Sequence, residues 1–241
     1  MYAVFKRELF SFLSSMVAYI TIGVFLLVSS LLLWFFPDTS VLDYGYAELS
    51  GFFSLVPYLF MFLIPAITMR SFAEEKREGT YELLITKPIT LWQVVFAKYL
   101  ACIMLVLFAL IPTLVYYYSL SKLGFPEGNV DSGAVTGSYI GLFLLGSAFT
   151  AIGIFASAFT KNQIIAFAVS AALSAFAFLG FDYTSQVFSM QNFETVISSF
   201  GINQHYQSIS RGVLDTRDLI YFISFSTLFL LLTKLAAGGK R

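Results

Sequence analysis

From residue 9 to residue 37 the chain runs 29 residues without an Asp, Glu, Lys or Arg. Such a run exceeds the ~20 apolar residues that a helix needs to cross a bilayer. It is also well beyond the ~7–15 residues of a signal-peptide core, so it is expected to stay in place as a span. In lipid every backbone N–H and C=O must be satisfied internally, and an α-helix does that within one segment. Further apolar runs follow. Together they predict spans at residues 12–36, 52–69, 92–120, 138–159, 164–181 and 219–237. The last has an uncharged core of only 15 residues, 219–233, and reaches spanning length if Lys234 snorkels. Only 12% of the 241 residues are charged and mean hydropathy is +0.81, whereas a soluble domain carries about a quarter charged residues. The fold class expected is therefore all-α integral membrane, a single transmembrane domain over residues 1–241.

Charge distribution orients the bundle, because cytoplasmic loops collect Lys and Arg. With both termini in the cytoplasm and six spans, 11 of 14 basic residues fall inside: Lys6, Arg7, Arg70, Lys76, Arg77, Lys87, Lys98, Lys161, Lys234, Lys240 and Arg241. Lys122, Arg211 and Arg217 fall outside. Lys98, near the cytoplasmic end of the third span, is expected to snorkel. Trp34, Phe35 and Phe36, and then Tyr116, Tyr117 and Tyr118, read as aromatic belts. Pro57 and Pro65 lie inside the second span, where neighbours must satisfy the freed carbonyls.

Composition removes several functions. A net charge of zero argues against nucleic-acid binding. Cys102 is the one cysteine and His205 the one histidine, so neither a disulfide framework nor a cysteine metal cluster is expected. His205 itself reads as a hydrogen-bonding or packing residue ahead of a ligand or catalytic group. No span carries an ionisable residue near its centre, which weighs against an ion-coupled carrier. A membrane hydrolase would need a Ser–His or paired-Asp set at membrane depth, and His205 and every Asp lie outside the spans. The chain holds no G-x-x-x-x-G-K-[ST] phosphate loop. It is expected to be no enzyme and to bind no cofactor itself.

Residues 70–88 form the densest charge cluster, between the second and third spans. Gly79 suits the left-handed position that ends a helix. Thr80 is placed to cap a short second helix. Pro88 stops it by pushing Lys87 out of the helical region. Tyr81 and Leu84 share one face of that helix, with Glu82 off it. The segment reads either as a charged loop or as a docking element, and a capped amphipathic helix favours docking.

Three other stretches leave alternatives open. Tyr2, Phe5, Leu9 and Phe12 fit an interfacial helix over residues 1–11, or the start of the first span. The fifth span is rich in small residues such as Ala168, Ala172, Ser170 and Ser174, which suits a dimer interface, a mobile channel wall or tight packing within one bundle. Residues 182–218 are amphipathic through Phe188, Met190, Phe193, Val196, Ile197, Phe200 and Ile202, and fit short helices dipping into the outer face. Asp215 and Asp218 then cap the sixth span.

The run Lys76-Arg77-Glu78-Gly79-Thr80-Tyr81-Glu82-Leu83-Leu84 followed by Lys87-Pro88 resembles the cytoplasmic coupling helix of ABC-2 type transporter permeases. With Met69-Arg70-Ser71-Phe72 and Ser210 to Phe222, the chain also looks like the gliding-motility-associated permeases of the GldF type in Bacteroidota. The resemblance implies a type V exporter-like fold with an interfacial elbow helix, a coupling helix and an external re-entrant element. It implies a bacterial inner-membrane permease that couples hydrolysis by a separate ATPase to substrate export. Glu74, Glu75, Arg77, Glu78, Gly79, Thr80, Tyr81, Glu82, Leu83 and Leu84 would contact that ATPase, with Tyr81 and Leu84 in its apolar cleft. ATP and Mg would be bound by the partner. A second permease copy, or a homologous permease, and a companion protein with an extracellular domain complete the implied assembly. The alternative is a scaffold that anchors an ATPase-driven envelope machine and transports nothing.

Overall fold

The computed structural model describes residues 1–36, 48–86, 88–125, 127–187, 200–213 and 215–238. The described part is helical, with no strand. Helices α1 (Tyr2–Leu13), α2 (Met16–Trp34), α3 (Ser50–Thr68), α4 (Arg70–Glu78) and α5 (Thr80–Ile85) come first. Then follow α6 (Leu91–Leu110), a 3-10 turn at Ile111–Thr113, α7 (Leu114–Leu123), α8 (Ser132–Phe159) and α9 (Gln163–Ala175). A π turn at Phe176–Gly180 leads into α10 (Phe181–Val187), α11 (Ile202–Ser210) and α12 (Thr216–Gly238). Among the described residues, six stretches are long and apolar enough to cross a membrane: Met16–Trp34, Ser50–Glu78, Leu91–Leu123, Ser132–Phe159, Gln163–Thr184 and Thr216–Gly238.

Local chemistry sets where these helices begin. Thr90 and Gln93 form a reciprocal capping box that starts α6. Asp131 Oδ1 accepts from the N–H groups of Gly133 and Ala134, at 2.9 and 3.1 Å, so α8 starts at Ser132. Asn162 caps α9 in the same way, through Ile164 N at 2.9 Å. Pro112 sits in the 3-10 turn that divides α6 from α7. Pro57 and Pro65 lie within α3 without interrupting it.

α8 is the axis of the bundle and is the most buried span. It packs on α3, α6, α9, α11 and α12. α2, α9 and α12 show most of their surface outward, as helices facing lipid do. Ala166, Ser170 and Ser174, four residues apart, form the face of α9 turned to the bundle, whereas Ala168 and Ala172 are exposed on the other face. Small residues therefore serve intramolecular packing on one face of this helix.

α3 and α8 approach closely at Gly153. A methyl group at Gly153 would lie 2.0 Å from Thr68 Oγ1 and 2.8 Å from its Cβ. Thr68 is buried, and its hydroxyl donates to Ile64 O at 2.8 Å. Gly153→Ala is accordingly expected to cost about 1–3 kcal/mol by overpacking, read as a lower unfolding midpoint in detergent.

Several side chains take other places than their spacing implies. Tyr116 is no belt residue: it is buried, and its hydroxyl lies 3.2 Å from Ser29 Oγ and 3.3 Å from Leu26 O, tying α7 to α2. Tyr118, Phe35 and Phe36 are exposed. On α1 the face turned to the protein is Val4, Glu8 and Phe12, four residues apart, while Tyr2 and Phe10 point away.

At the end of the bundle away from α4, Asp215 Oδ1 caps α12 through Arg217 N at 2.9 Å. Asp218 does not cap. It is buried and holds His205 Nδ1 at 2.6 Å, because α11 brings the imidazole over the first turn of α12. The His205 ring stacks on Tyr221 at 3.9 Å, so the histidine belongs to the contact between α11 and α12. Phe188, Met190, Phe193, Val196 and Ile197 lie outside the described residues, as do Lys87 and the tail from 239.

Candidate functional site

The charged end of the bundle gathers α1, α4, α5 and the near ends of α6, α8 and α12. α4 continues α3 through a joint at Met69 and ends at Gly79, whose φ of +73° is left-handed. A methyl there would meet nothing within 4 Å, so conformation and not space demands the glycine. Gly79→Ala is expected to cost about 1 kcal/mol, whereas Gly79→Asn costs less; thermal unfolding of the two variants checks the order.

Thr80 is the first residue of α5 rather than its cap. Its hydroxyl donates back to Glu75 O at 3.4 Å.

Three ties fasten α4 to the bundle. The first runs to α8. The N–H groups of Phe72 and Ala73 donate to Ser157 Oγ at 3.0 and 3.1 Å, and Ser157 Oγ donates to Met69 O at 3.0 Å. A hydroxyl on one helix thus caps the first turns of another, whose N–H groups lack partners at a helix start. Lys76 Nζ adds a bond to Ala158 O. Ser157→Ala is expected to cost about 1–3 kcal/mol, since it strands buried N–H groups; faster hydrogen exchange at residues 72 and 73 is the local readout.

The second tie is a buried charge cluster with α1 and α6. Lys98 is fully buried, and three oxygens surround its ammonium: Ser71 O at 2.6 Å, Glu75 Oε2 at 3.0 Å and Glu8 Oε2 at 3.1 Å. Ser71 O accepts a hydrogen bond from the ammonium, and the two carboxylates pair with it by charge. Arg7 reaches Glu8 at 2.5 Å and Glu75 at 2.6 Å. Two cations therefore meet two carboxylates. Burial alone would lower the Arg7 pKa, but the carboxylates of Glu8 and Glu75 outweigh it and hold the guanidinium above its ordinary value. Phe72 covers the Lys98 ammonium at 5.1 Å. Lys98 does not snorkel, because its acceptors are supplied inside the protein. The third tie is Arg70, paired with Glu74 at 2.8 Å and bonded to Ser15 at the start of α2.

α5 divides cleanly into two faces. Tyr81 and Leu84 are buried in this chain's own core. The Tyr81 hydroxyl donates to Ala237 O at 2.8 Å, and its ring meets Phe72 at 6.0 Å. Their i, i+3 spacing does form an apolar face, but α12 and Phe72 already occupy it. Glu78, Gly79, Thr80, Glu82 and Leu83 are exposed, Leu83 at 67%. Arg77 is exposed beside Glu78, at 3.9 Å. Glu74 and Glu75 are spent on Arg70, Arg7 and Lys98.

Of the residues expected to meet a partner, the structure thus gathers Arg77, Glu78, Gly79, Thr80, Glu82 and Leu83 on one outward ridge and turns Tyr81, Leu84 and Glu75 inward. Glu8, Lys98 and Ser157 were not marked as site residues by sequence reasoning. The available signal was a lysine inside an apolar run and a glutamate just before one, both costly at membrane depth without partners.

A family model described as "ABC-2 family transporter protein" matches residues 37–238. No curated protein matches the chain. The match takes in every span after the first and the whole α4–α5 segment, and it is to the family at large rather than to a gliding-motility branch. With six helices of spanning length and that match over most of its residues, the chain belongs to the ABC-2 transporter family and is a transmembrane permease component.

Proposed function

We propose that this permease couples ATP hydrolysis by a separate ATPase subunit to export, with α5 as the element the ATPase pushes. The observation that carries the reading is the contrast between α5's exposed ridge and α4's three ties. Glu82 and Leu83 project outward, while α4 is fastened to α1, α6 and α8. A force on the ridge therefore reaches three helices at once, instead of bending a loop. The 11-to-3 bias of basic residues supports a reading in which this end and both termini face the cytoplasm, in a bacterial inner membrane.

ATP and Mg bind on the ATPase. Two permease copies, or this chain and a homologue, enclose the pathway, and a companion protein with an extracellular domain completes the complex. The resemblance of the coupling run and of residues 210–222 to GldF-type permeases supports a gliding-motility-associated system. Co-purification with the candidate ATPase in nanodiscs, followed by transport in vesicles, tests the reading. A two-plus-two complex that moves substrate only with ATP is the expected result. A complex that hydrolyses ATP without moving any offered substrate would favour the anchoring role.

A further inference from the structure

The fifth span is built in two parts, joined by the π turn at Phe176–Gly180. Helices kink at such turns, because the i→i−4 ladder is interrupted there. The turn itself is anchored. The Phe178 ring lies 5.9 Å from Tyr58 of α3, 6.2 Å from Phe149 of α8 and 6.3 Å from Tyr206 of α11. The part toward the charged end, α9, is held differently. It buries only Ala166, Ser170 and Ser174, side chains too short to interlock with a neighbour. Two of these carry unspent hydroxyls. Thr68, Ser138, Thr150 and Thr233, also buried in spans, each donate to the carbonyl four residues back. The hydroxyls of Ser170 and Ser174 are buried with no partner among the described residues, and in lipid nothing outside the protein supplies one.

Ser170 has an acceptor at hand. A methyl group on Gly153 would lie 3.1 Å from Ser170 Oγ and 2.0 Å from Thr68 Oγ1, so the two oxygens converge on one point, yet no bond joins them. Thr68 gives its hydrogen to Ile64 O and keeps a lone pair to accept another. We propose that the fifth span has two seatings. In the one described here the Ser170 hydroxyl is unpartnered. In the other, α9 swings about the π turn by about 1–2 Å at Ser170, a usual size for a helix shift, and that hydroxyl donates to Thr68 Oγ1. Thr68 is the last residue of α3, next to the joint with α4, and α9 also packs on α4. The swing is thus the movement by which a push on α4 reaches a lipid-facing span. That consequence rests on the coupling reading above; the two seatings do not, and the chain alone tests them.

The test is double electron–electron resonance on the full chain in nanodiscs. Spin labels go on Ile164→Cys, at an exposed position near the start of α9, and on Leu235→Cys, at an exposed position on α12 across α8. Cys102 is buried and stays unlabelled. Residue 164 is nearly twice as far along the helix from the π turn as Ser170, so two distance populations about 2–4 Å apart are expected. Ser170→Ala and Thr68→Val each remove one end of the new bond, and each should lower the shorter population about fivefold. Thr21→Val removes a hydroxyl already bonded within α2 and should leave the ratio unchanged. A single population in the native chain, or two whose ratio neither Ser170→Ala nor Thr68→Val alters, would overturn the proposal.

Discussion

Lys98→Met is expected to lower stability by about 3–5 kcal/mol, the loss typical when one member of a buried ion pair is removed. The cost comes from what is left behind. Glu8 and Glu75 would remain with only Arg7 between them, and Ser71 O would lose its donor. Because the cluster joins α1, α4 and α6, the damage should centre on the charged end, with hydrogen exchange rising first in α1 and α4. Replacing the set tests the cause. Lys98→Met combined with Glu8→Gln and Glu75→Met removes the orphaned charges, and recovery of most of the loss is expected. Arg7 is half exposed and can turn to water. Unfolding in mixed detergent micelles measures both variants, and a single variant within 1 kcal/mol of the native chain would contradict the cluster's weight.

Leu83→Asp is the second large expectation, and it concerns binding instead of folding. Leu83 is an exposed apolar side chain on a short helix at the charged end. Buried at a partner surface, such an anchor costs at least about 2 kcal/mol when lost, or thirtyfold in affinity. Leu83 lies at the surface, so the chain's own stability should be nearly unchanged while binding of the proposed ATPase falls. Glu78→Lys with Glu82→Lys should slow association and invert its salt dependence, as reversals at an interface rim do. By contrast, Leu84→Asp places a charge in the core and is expected to unfold the charged end before binding is tested.

Much of the architecture is legible in sequence, for a physical reason. The bilayer requires long uncharged helices, so the run from residue 9 to 37 alone announces a span. Gly79 is legible too, because its left-handed φ leaves a residue-type signature. The ties of α4 are another matter. Glu8, Glu75 and Lys98 come from three elements far apart in the chain, and nothing local distinguishes a lysine paired by them from one that snorkels. Ser157 is equally silent, one small residue among several on α8 until the start of α4 is laid against it. For Tyr81 and Leu84, periodicity defines an apolar face without saying what covers it. The covering surface is α12, more than 130 residues later in the chain. His205 and Asp218 repeat the lesson at the far end: an acid in a first turn reads as a cap until a histidine from another helix claims it.

Cysteine protection reads directly which face of α5 the proposed ATPase would meet. Leu83→Cys and Leu84→Cys would be labelled with a charged maleimide in nanodiscs, with and without the ATPase; Cys102 is buried and gives little background. The prediction is rapid labelling at position 83, slowed at least about tenfold by the ATPase, and negligible labelling at position 84 in either state. Labelling at 84 that the ATPase blocks, with 83 unaffected, would show that the helix presents its other face and that the arrangement of α4 and α5 described above is not the one that couples.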